Sequence, residues 1–108
     1  MSLEINAREL KARLAAGKPT HLVDVREPWE RAIAALKDQQ HIPLDELPER
    51  AGEVRAPEGA LVVIYCHHGV RSLAAAQFLE QQGLKGVVSL AGGIDAWAQQ
   101  VDAKVPVY

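Results

Sequence analysis

The sequence has little cysteine: Cys66 is the only one in 108 residues. One cysteine cannot close an internal disulfide, and small secreted domains usually carry several, so the count excludes a disulfide scaffold and favours a reducing compartment. Free cysteines are most often small buried apolar residues, so the count alone gives Cys66 no chemical role. Whether Cys66 has a chemical role therefore depends on its position in the fold.

Long hydrophobic runs are also absent, and neither sign of charge is in large excess. No stretch of about eighteen apolar residues occurs, and the first residues lack a cationic segment followed by an apolar one. We therefore expect a cytoplasmic protein without a membrane partner. The formal net charge of −2 leaves no broad basic surface, which argues against nucleic acid or an anionic membrane as the partner.

What the sequence does contain fits one compact domain over residues 1–108. Hydrophobic residues make up 48% and charged residues 24%, enough for a chain of this length to bury its own core. Trp29 and Trp97 fall on apolar faces of predicted helices, so we interpret both as core residues rather than as a platform for a sugar or a base.

Strand and helix signals alternate along the whole chain. Short apolar segments predict strands at residues 3–5, 21–25, 42–44, 60–66 and 87–90. Helix signals lie between and after them: an Asn6 and Glu9 capping box, Pro28, a cap at Asp45, residues 72–82, and the segment after Gly92 and Gly93. Strands separated by helices predict the α/β class, with a central parallel sheet of about five strands and helices on both faces.

Cys66 stands at the carboxyl end of the most apolar strand, where ligands gather in open α/β sheets. The segment from Cys66 to Ser72 joins that strand to a helix. Gly69 lets the loop bend, and its backbone N–H groups can turn inward around an anion at the positive end of the helix. The same field favours thiolate over thiol. Position therefore indicates a reactive cysteine.

Three further side chains of the loop are candidates for a site. Arg71 could hold an incoming oxyanion with its planar guanidinium, or it could pair with a carboxylate at the surface. His67 and His68 could add positive charge or move a proton, but adjacent residues in a tight loop point different ways, so we expect at least one to be solvated. The chain offers no set of metal ligands and no Walker-type loop. We predict no metal and no cofactor.

Four segments together resemble the rhodanese family: LVDVREP at 22–28, IPLDEL at 42–47, CHHGVRS at 66–72 and LAGGIDAW at 90–97. The third matches the C-x-x-G-x-R-S loop of that family. The resemblance implies a rhodanese-like domain in which Cys66 is the catalytic nucleophile and His67, His68, Gly69, Val70 and Arg71 form the loop that binds substrate and persulfide.

The resemblance also implies an activity of the thiosulfate sulfurtransferase type. A small-molecule donor such as thiosulfate would load Cys66, and cyanide, a thiol or a small thioredoxin-like protein would accept the sulfur in a ping-pong cycle. Two alternatives stay open: a rhodanese-like module that binds a partner without turnover, and a cysteine-based phosphatase or arsenate reductase. Related phosphatases have five residues between cysteine and arginine, whereas Cys66 and Arg71 enclose four. The smaller ring suits a sulfur atom better than a phosphate.

Asp24 and Arg26 lie in the first of these segments but are not assigned to catalysis. Asp24 alternates with Val23 and Val25 in a predicted strand, so a buried supporting role, holding the loop arginine or a backbone N–H, is at least as plausible. Gly92 and Gly93 are expected to form a tight turn near the site.

Overall fold

A computed structural model describes residues 3–108. The elements follow one another as the alternating pattern predicts, with two short 3₁₀ turns flanking the third helix. They are β1 (Glu4–Ile5), α1 (Ala7–Ala15), β2 (Thr20–Asp24), α2 (Pro28–Ile33), β3 (Gln39–His41), a 3₁₀ turn (Leu44–Glu46), α3 (Leu47–Arg50), a 3₁₀ turn (Ala51–Glu53), β4 (Leu61–Tyr65), α4 (Val70–Gln81), β5 (Val87–Leu90) and α5 (Gly93–Gln100).

The five strands form one parallel sheet in the order β1-β5-β4-β2-β3. β4 occupies the middle and pairs with β2 and β5, which explains why its sequence is apolar without alternation. The predicted fold class is confirmed. Because Cys66 follows β4 directly, it stands at the centre of the carboxyl edge of the sheet.

Each face of the sheet carries its own apolar cluster, and alternate β4 residues contribute to opposite clusters. Val62 and Ile64 join the cluster that also contains Leu79 of α4, and Cys66 belongs to the same cluster. Val63 and Tyr65 join the other, which contains residues of α1 and α5. The helices therefore cover both faces, and Cys66 lies on the α4 side.

Two predicted boundaries near the edge of the sheet are wrong. The third strand is Gln39–His41 rather than 42–44, and Pro43 instead precedes the 3₁₀ turn, consistent with its missing N–H donor. Asp45 lies inside that turn and does not cap a helix.

Trp29 does not belong to the core, contrary to the prediction. The helix α2 ends at Ile33, and the buried Leu36 lies in the segment that follows it. Trp29 is 62% exposed and lies edge-on to the ring of Tyr108. Trp97, by contrast, packs against the core as expected.

Within residues 3–108, none of the helices combines the length and the apolar character needed to cross a membrane.

Candidate active site

The sulfur of Cys66 is surrounded by hydrogen-bond partners from the loop that follows it. The backbone N–H groups of Gly69 and Ser72 donate to Sγ at 3.1 and 3.3 Å, and the Ser72 hydroxyl lies 3.3 Å from it. Cys66 itself is only 1% exposed. Amide N–H groups aimed at a sulfur atom are hydrogen-bond donors that a negative charge on that atom can use.

The loop takes this shape because its carbonyl groups are bound from the other side. At the start of α5, the N–H groups of Ile94 and Asp95 donate to the carbonyl oxygens of Cys66 and His67 at 2.9 and 3.1 Å. These are among the donors that a helix start leaves unpaired. With its carbonyls held outward by α5, the loop can turn later amides inward toward the sulfur.

Two glycines make this close approach possible. Gly69 has φ +101°, and a Cβ there would lie 3.0 Å from the backbone nitrogen of Gly92. Gly93 has φ +61°, and a Cβ there would overlap the carbonyl oxygens of Cys66 and His67. The expected tight turn at Gly92 and Gly93 is present, and it fixes the distance between α5 and the loop.

Ser72 connects the sulfur to a second buried hydroxyl. Ser72 and Ser89 are both fully buried, and their Oγ atoms lie 2.7 Å apart. Each hydroxyl has one hydrogen to give. When Cys66 is a thiol it can donate to Ser72; when it is a thiolate, Ser72 can donate to the sulfur and in turn accept from Ser89. The pair therefore accommodates both protonation states of the sulfur.

Arg71 is held by Glu30 instead of pointing freely at the sulfur. Both terminal nitrogens of the guanidinium donate to the Glu30 carboxylate at 2.7 Å. This is the carboxylate pairing that the sequence left open for Arg71. The Glu30 side chain is 4% exposed and that of Arg71 is 33% exposed. Hydrogen bonds from Arg71 outweigh burial and lower the pKa of Glu30 to about 2.

This pair makes the stability of the fold depend on pH in acid. The pKa of Glu30 is about 2 in the folded chain and 4.5 when it is unperturbed, so its stabilisation is complete above the higher value and is lost as the pH falls toward 2. We expect about 2 kcal/mol, less than the full shift implies, because water screens the partly exposed Arg71.

Urea unfolding measured from about pH 6 to pH 2 tests this expectation against Glu30→Gln. The substitution should destabilise the fold by about 2 kcal/mol near neutrality and by much less near pH 2, where the wild-type carboxylate is also becoming protonated. Parallel curves for the two proteins would contradict it.

The two loop histidines lie in a stack of rings. His67 stacks between His68 and Tyr108, with ring centroids 3.9 Å apart on each side. Burial lowers the pKa of His67, and His68 beside it adds to the effect, which favours the neutral form of the His67 ring. His68 is exposed, in line with the expectation that at least one of the two is solvated.

Tyr108 also ties the stack to the buried polar groups beneath it. Its hydroxyl accepts from Arg26 at 2.8 Å and donates to Glu30 at 3.0 Å. Arg26 in turn pairs with Asp24, and both are fully buried. Asp24 accepts from the backbone N–H of Arg26, which is the supporting role expected for it. Its arginine partner is Arg26, however, and not the loop arginine Arg71.

One group of side chains beside the loop has the composition of a metal site. His67, His68 and Asp95 place a donor atom each within 4.8 Å of one another. The histidine rings, however, are stacked with an interplanar angle of 24°, so their nitrogen lone pairs run side by side rather than converge. Metal binding would require the stack to open, and the arrangement as it stands does not fit an ion.

Sequence reasoning missed four residues that shape this site: Glu30, Ser72, Ser89 and Tyr108. Ser72 is the last residue of the loop motif, and the motif alone assigns it no role. Glu30 follows two residues after Pro28 and, read locally, is only an acidic residue in a first helical turn. Ser89 and Tyr108 reach the site through long-range packing, which no local pattern records.

A family model described as "Rhodanese-like domain" matches residues 6–100. A sulfurtransferase of Allochromatium vinosum is 42% identical over 96 residues, which cover 89% of this chain and 88% of that protein. A thiosulfate sulfurtransferase, GlpE, of Vibrio cholerae is 31% identical and covers 90% of this chain and 87% of its own length. The chain spans only 23% of a longer relative, an adenylyltransferase and sulfurtransferase of Zea mays, at 36% identity.

Among solved structures, a rhodanese-related protein from Thermoplasma volcanium superimposes with a TM-score of 0.81 at 32% identity, covering 97% of this chain and 98% of that one.

Proposed function

The chain belongs to the rhodanese-like domain family of sulfurtransferases, and from that membership we propose that it moves sulfane sulfur by a ping-pong mechanism through a persulfide on Cys66. The observation that carries the proposal is the sulfur of Cys66 enclosed by the amides of Gly69 and Ser72. The loop from His67 to Arg71 would bind the persulfide and the substrates.

In the loading step, the Cys66 thiolate attacks the outer sulfur of the donor. The new bond joins Sγ to that sulfur, and the bond between the outer sulfur and the rest of the donor breaks, releasing sulfite from thiosulfate or a thiolate from a persulfide. The terminal sulfur left on Cys66 is an anion, which the inward amides stabilise. Because Cys66 is 1% exposed, the donor must present this sulfur as a protruding single atom.

In the second step, a thiophilic acceptor attacks the terminal sulfur and regenerates the thiolate. Cyanide or a thiol can accept it, and so can the thiol of a small thioredoxin-like protein. Cyanide becomes thiocyanate and a thiol becomes a persulfide; in both cases the bond between Sγ and the terminal sulfur breaks, Cys66 leaves as the thiolate, and no external reductant is consumed. We also propose the cytoplasm as the compartment, because a reducing environment keeps the single thiol available.

Intact-mass spectrometry tests the proposal directly. Incubation with a sulfane donor should add one sulfur, about 32 Da, and subsequent cyanide should remove it. Initial rates measured against both substrates should give parallel double-reciprocal lines, as a ping-pong cycle requires. A chain whose mass never changes with any donor would contradict the proposal and revive the alternative of a binding module without turnover.

The phosphatase alternative predicts a different result. It requires hydrolysis of an aryl phosphate that depends on Cys66, whereas four residues between Cys66 and Arg71 and a guanidinium already bound by Glu30 leave phosphate oxygens poorly held. We expect no such hydrolysis above the rate of a control without enzyme.

A further inference from the structure

The proposed function does not specify the sulfur donor, and the charges around Cys66 limit the kinds of donor that the site can accept. Arg71 is the cation that lies in the loop itself, and each of its terminal nitrogens donates one hydrogen bond to Glu30. The pair is close to neutral as a unit. A sulfonate oxygen approaching Arg71 therefore meets a guanidinium whose charge is already balanced by a nearby carboxylate.

A second carboxylate lies on the other side of the loop. The Asp95 backbone N–H donates to the His67 carbonyl, and an Asp95 oxygen lies 3.9 Å from Nε2 of the exposed His68. Besides His68, the charged side chains that act most strongly on His67 are Asp95 and Glu30, both acidic. With neutral histidines, Glu30, Asp95 and Arg71 sum to one negative charge before the Cys66 thiolate is counted.

Two exposed apolar side chains are sequence neighbours of the Arg71 and Glu30 pair. Val70 precedes Arg71 and is 79% exposed, and Trp29 precedes Glu30 and is 62% exposed. Large exposed apolar side chains next to a reactive group offer contact area to carbon rather than to a small inorganic ion.

We propose that this site selects organic sulfane donors that carry a single negative charge, such as persulfides and thiosulfonates, and discriminates against the thiosulfate dianion. The inference rests on the proposed function and concerns only its first step. With an organic persulfide, Cys66 thiolate takes the outer sulfur, the donor's S–S bond breaks, and the leaving thiolate departs with the electron pair. The donor reacts as its persulfide anion, so the transferred sulfur keeps its negative charge on Cys66 and no proton moves.

A matched pair of donors isolates the charge. Methanethiosulfonate differs from thiosulfate by a methyl group in place of one anionic oxygen, and both release the same kind of sulfur-centred leaving group. The loading rate of Cys66 is followed by intact mass at about pH 8, where histidine is normally neutral. Each rate is divided by the rate of the same donor with a free thiol, which removes the difference in intrinsic reactivity.

After this correction we expect methanethiosulfonate to load the wild-type chain at least about tenfold faster than thiosulfate. Added salt should accelerate loading by thiosulfate more than loading by methanethiosulfonate, because screening weakens repulsion between like charges. A thiosulfate rate that equals or exceeds the methanethiosulfonate rate, or that falls with salt, would overturn the proposal.

Two variants vary the charge of the site. Glu30→Gln leaves the charge of Arg71 unbalanced and should raise the corrected preference for thiosulfate about fivefold. Asp95→Asn, at a partly exposed position in the first turn of α5, should raise the corrected preference for thiosulfate about threefold. This second variant keeps the test valid if Glu30→Gln does not fold. An unchanged ratio in Asp95→Asn would count against the proposal. Loading by neither donor in wild type would instead refute the proposed function itself.

Discussion

A chain carrying Cys66→Ser should gain no sulfur from any donor. Serine keeps the size of the side chain and can accept from the Gly69 and Ser72 amides, but a neutral hydroxyl is a poor nucleophile toward sulfur and forms no persulfide. The expected loss is complete, whereas the fold should lose about 1 kcal/mol at most, because the new hydroxyl is hydrogen-bonded where it is buried. Intact mass after donor treatment and urea unfolding measure the two effects.

The control is Ser89→Ala, which leaves the cysteine in place and removes the hydroxyl behind Ser72. This variant should still gain one sulfur, but more slowly. When the Ser72 hydroxyl donates to the Cys66 thiolate, its oxygen can accept from Ser89, and the variant lacks that donor. If Cys66→Ser gained sulfur, another group would have to carry it, and the assignment of the nucleophile would be wrong.

Gly93→Ala should destabilise the fold by about 3 kcal/mol or more and suppress sulfur loading in the fraction that remains folded. The expected cost combines a positive φ with a steric overlap, since a methyl group at this position meets the carbonyl oxygens of Cys66 and His67; overpacking of this kind costs about 1 to 3 kcal/mol and the backbone conformation about 1 more. Relief requires α5 to move away, which releases the carbonyls that α5 holds.

Gly17→Ala is the matched control, because Gly17 has a similar φ of +69° but nothing lies within 4 Å of its added Cβ. It should cost only the backbone term, about 1 kcal/mol, and leave the loading rate unchanged. Thermal unfolding and loading rates of the two variants, compared side by side, separate the overlap from the backbone conformation. Equal losses in both variants would show that the contact with the loop is unimportant.

The sheet and the reactive loop could be predicted because their signals are local. The apolar run before Cys66 marks the central strand, and the capping box at Asn6 and Glu9 is formed as its spacing predicts. Gly69 has the positive φ that the loop needs. The parallel direction of the strands followed from the alternation of strands and helices, whereas the order of the strands in the sheet was not predicted.

The support of the loop could not be predicted, because it depends on distances in space. Glu30 meets Arg71 across 41 residues and Tyr108 across 78. The helical spacing predicts a core position for Trp29, but α2 ends at Ile33 and is too short for an apolar face to extend along it. Edge strands are also weakly specified, so β3 lies three residues earlier than its apolar pattern indicated.

The contacts of α5 and α2 with the loop have a consequence for engineering. The heptapeptide from Cys66 to Ser72 does not encode its own shape: Gly93 sets how near α5 can come, and Glu30 anchors the arginine from another part of the chain. Grafting those seven residues onto a different protein with a parallel sheet would transfer the nucleophile without the contacts that shape the loop around it. A portable version would need the graft to include the start of α5 and a carboxylate placed to receive Arg71.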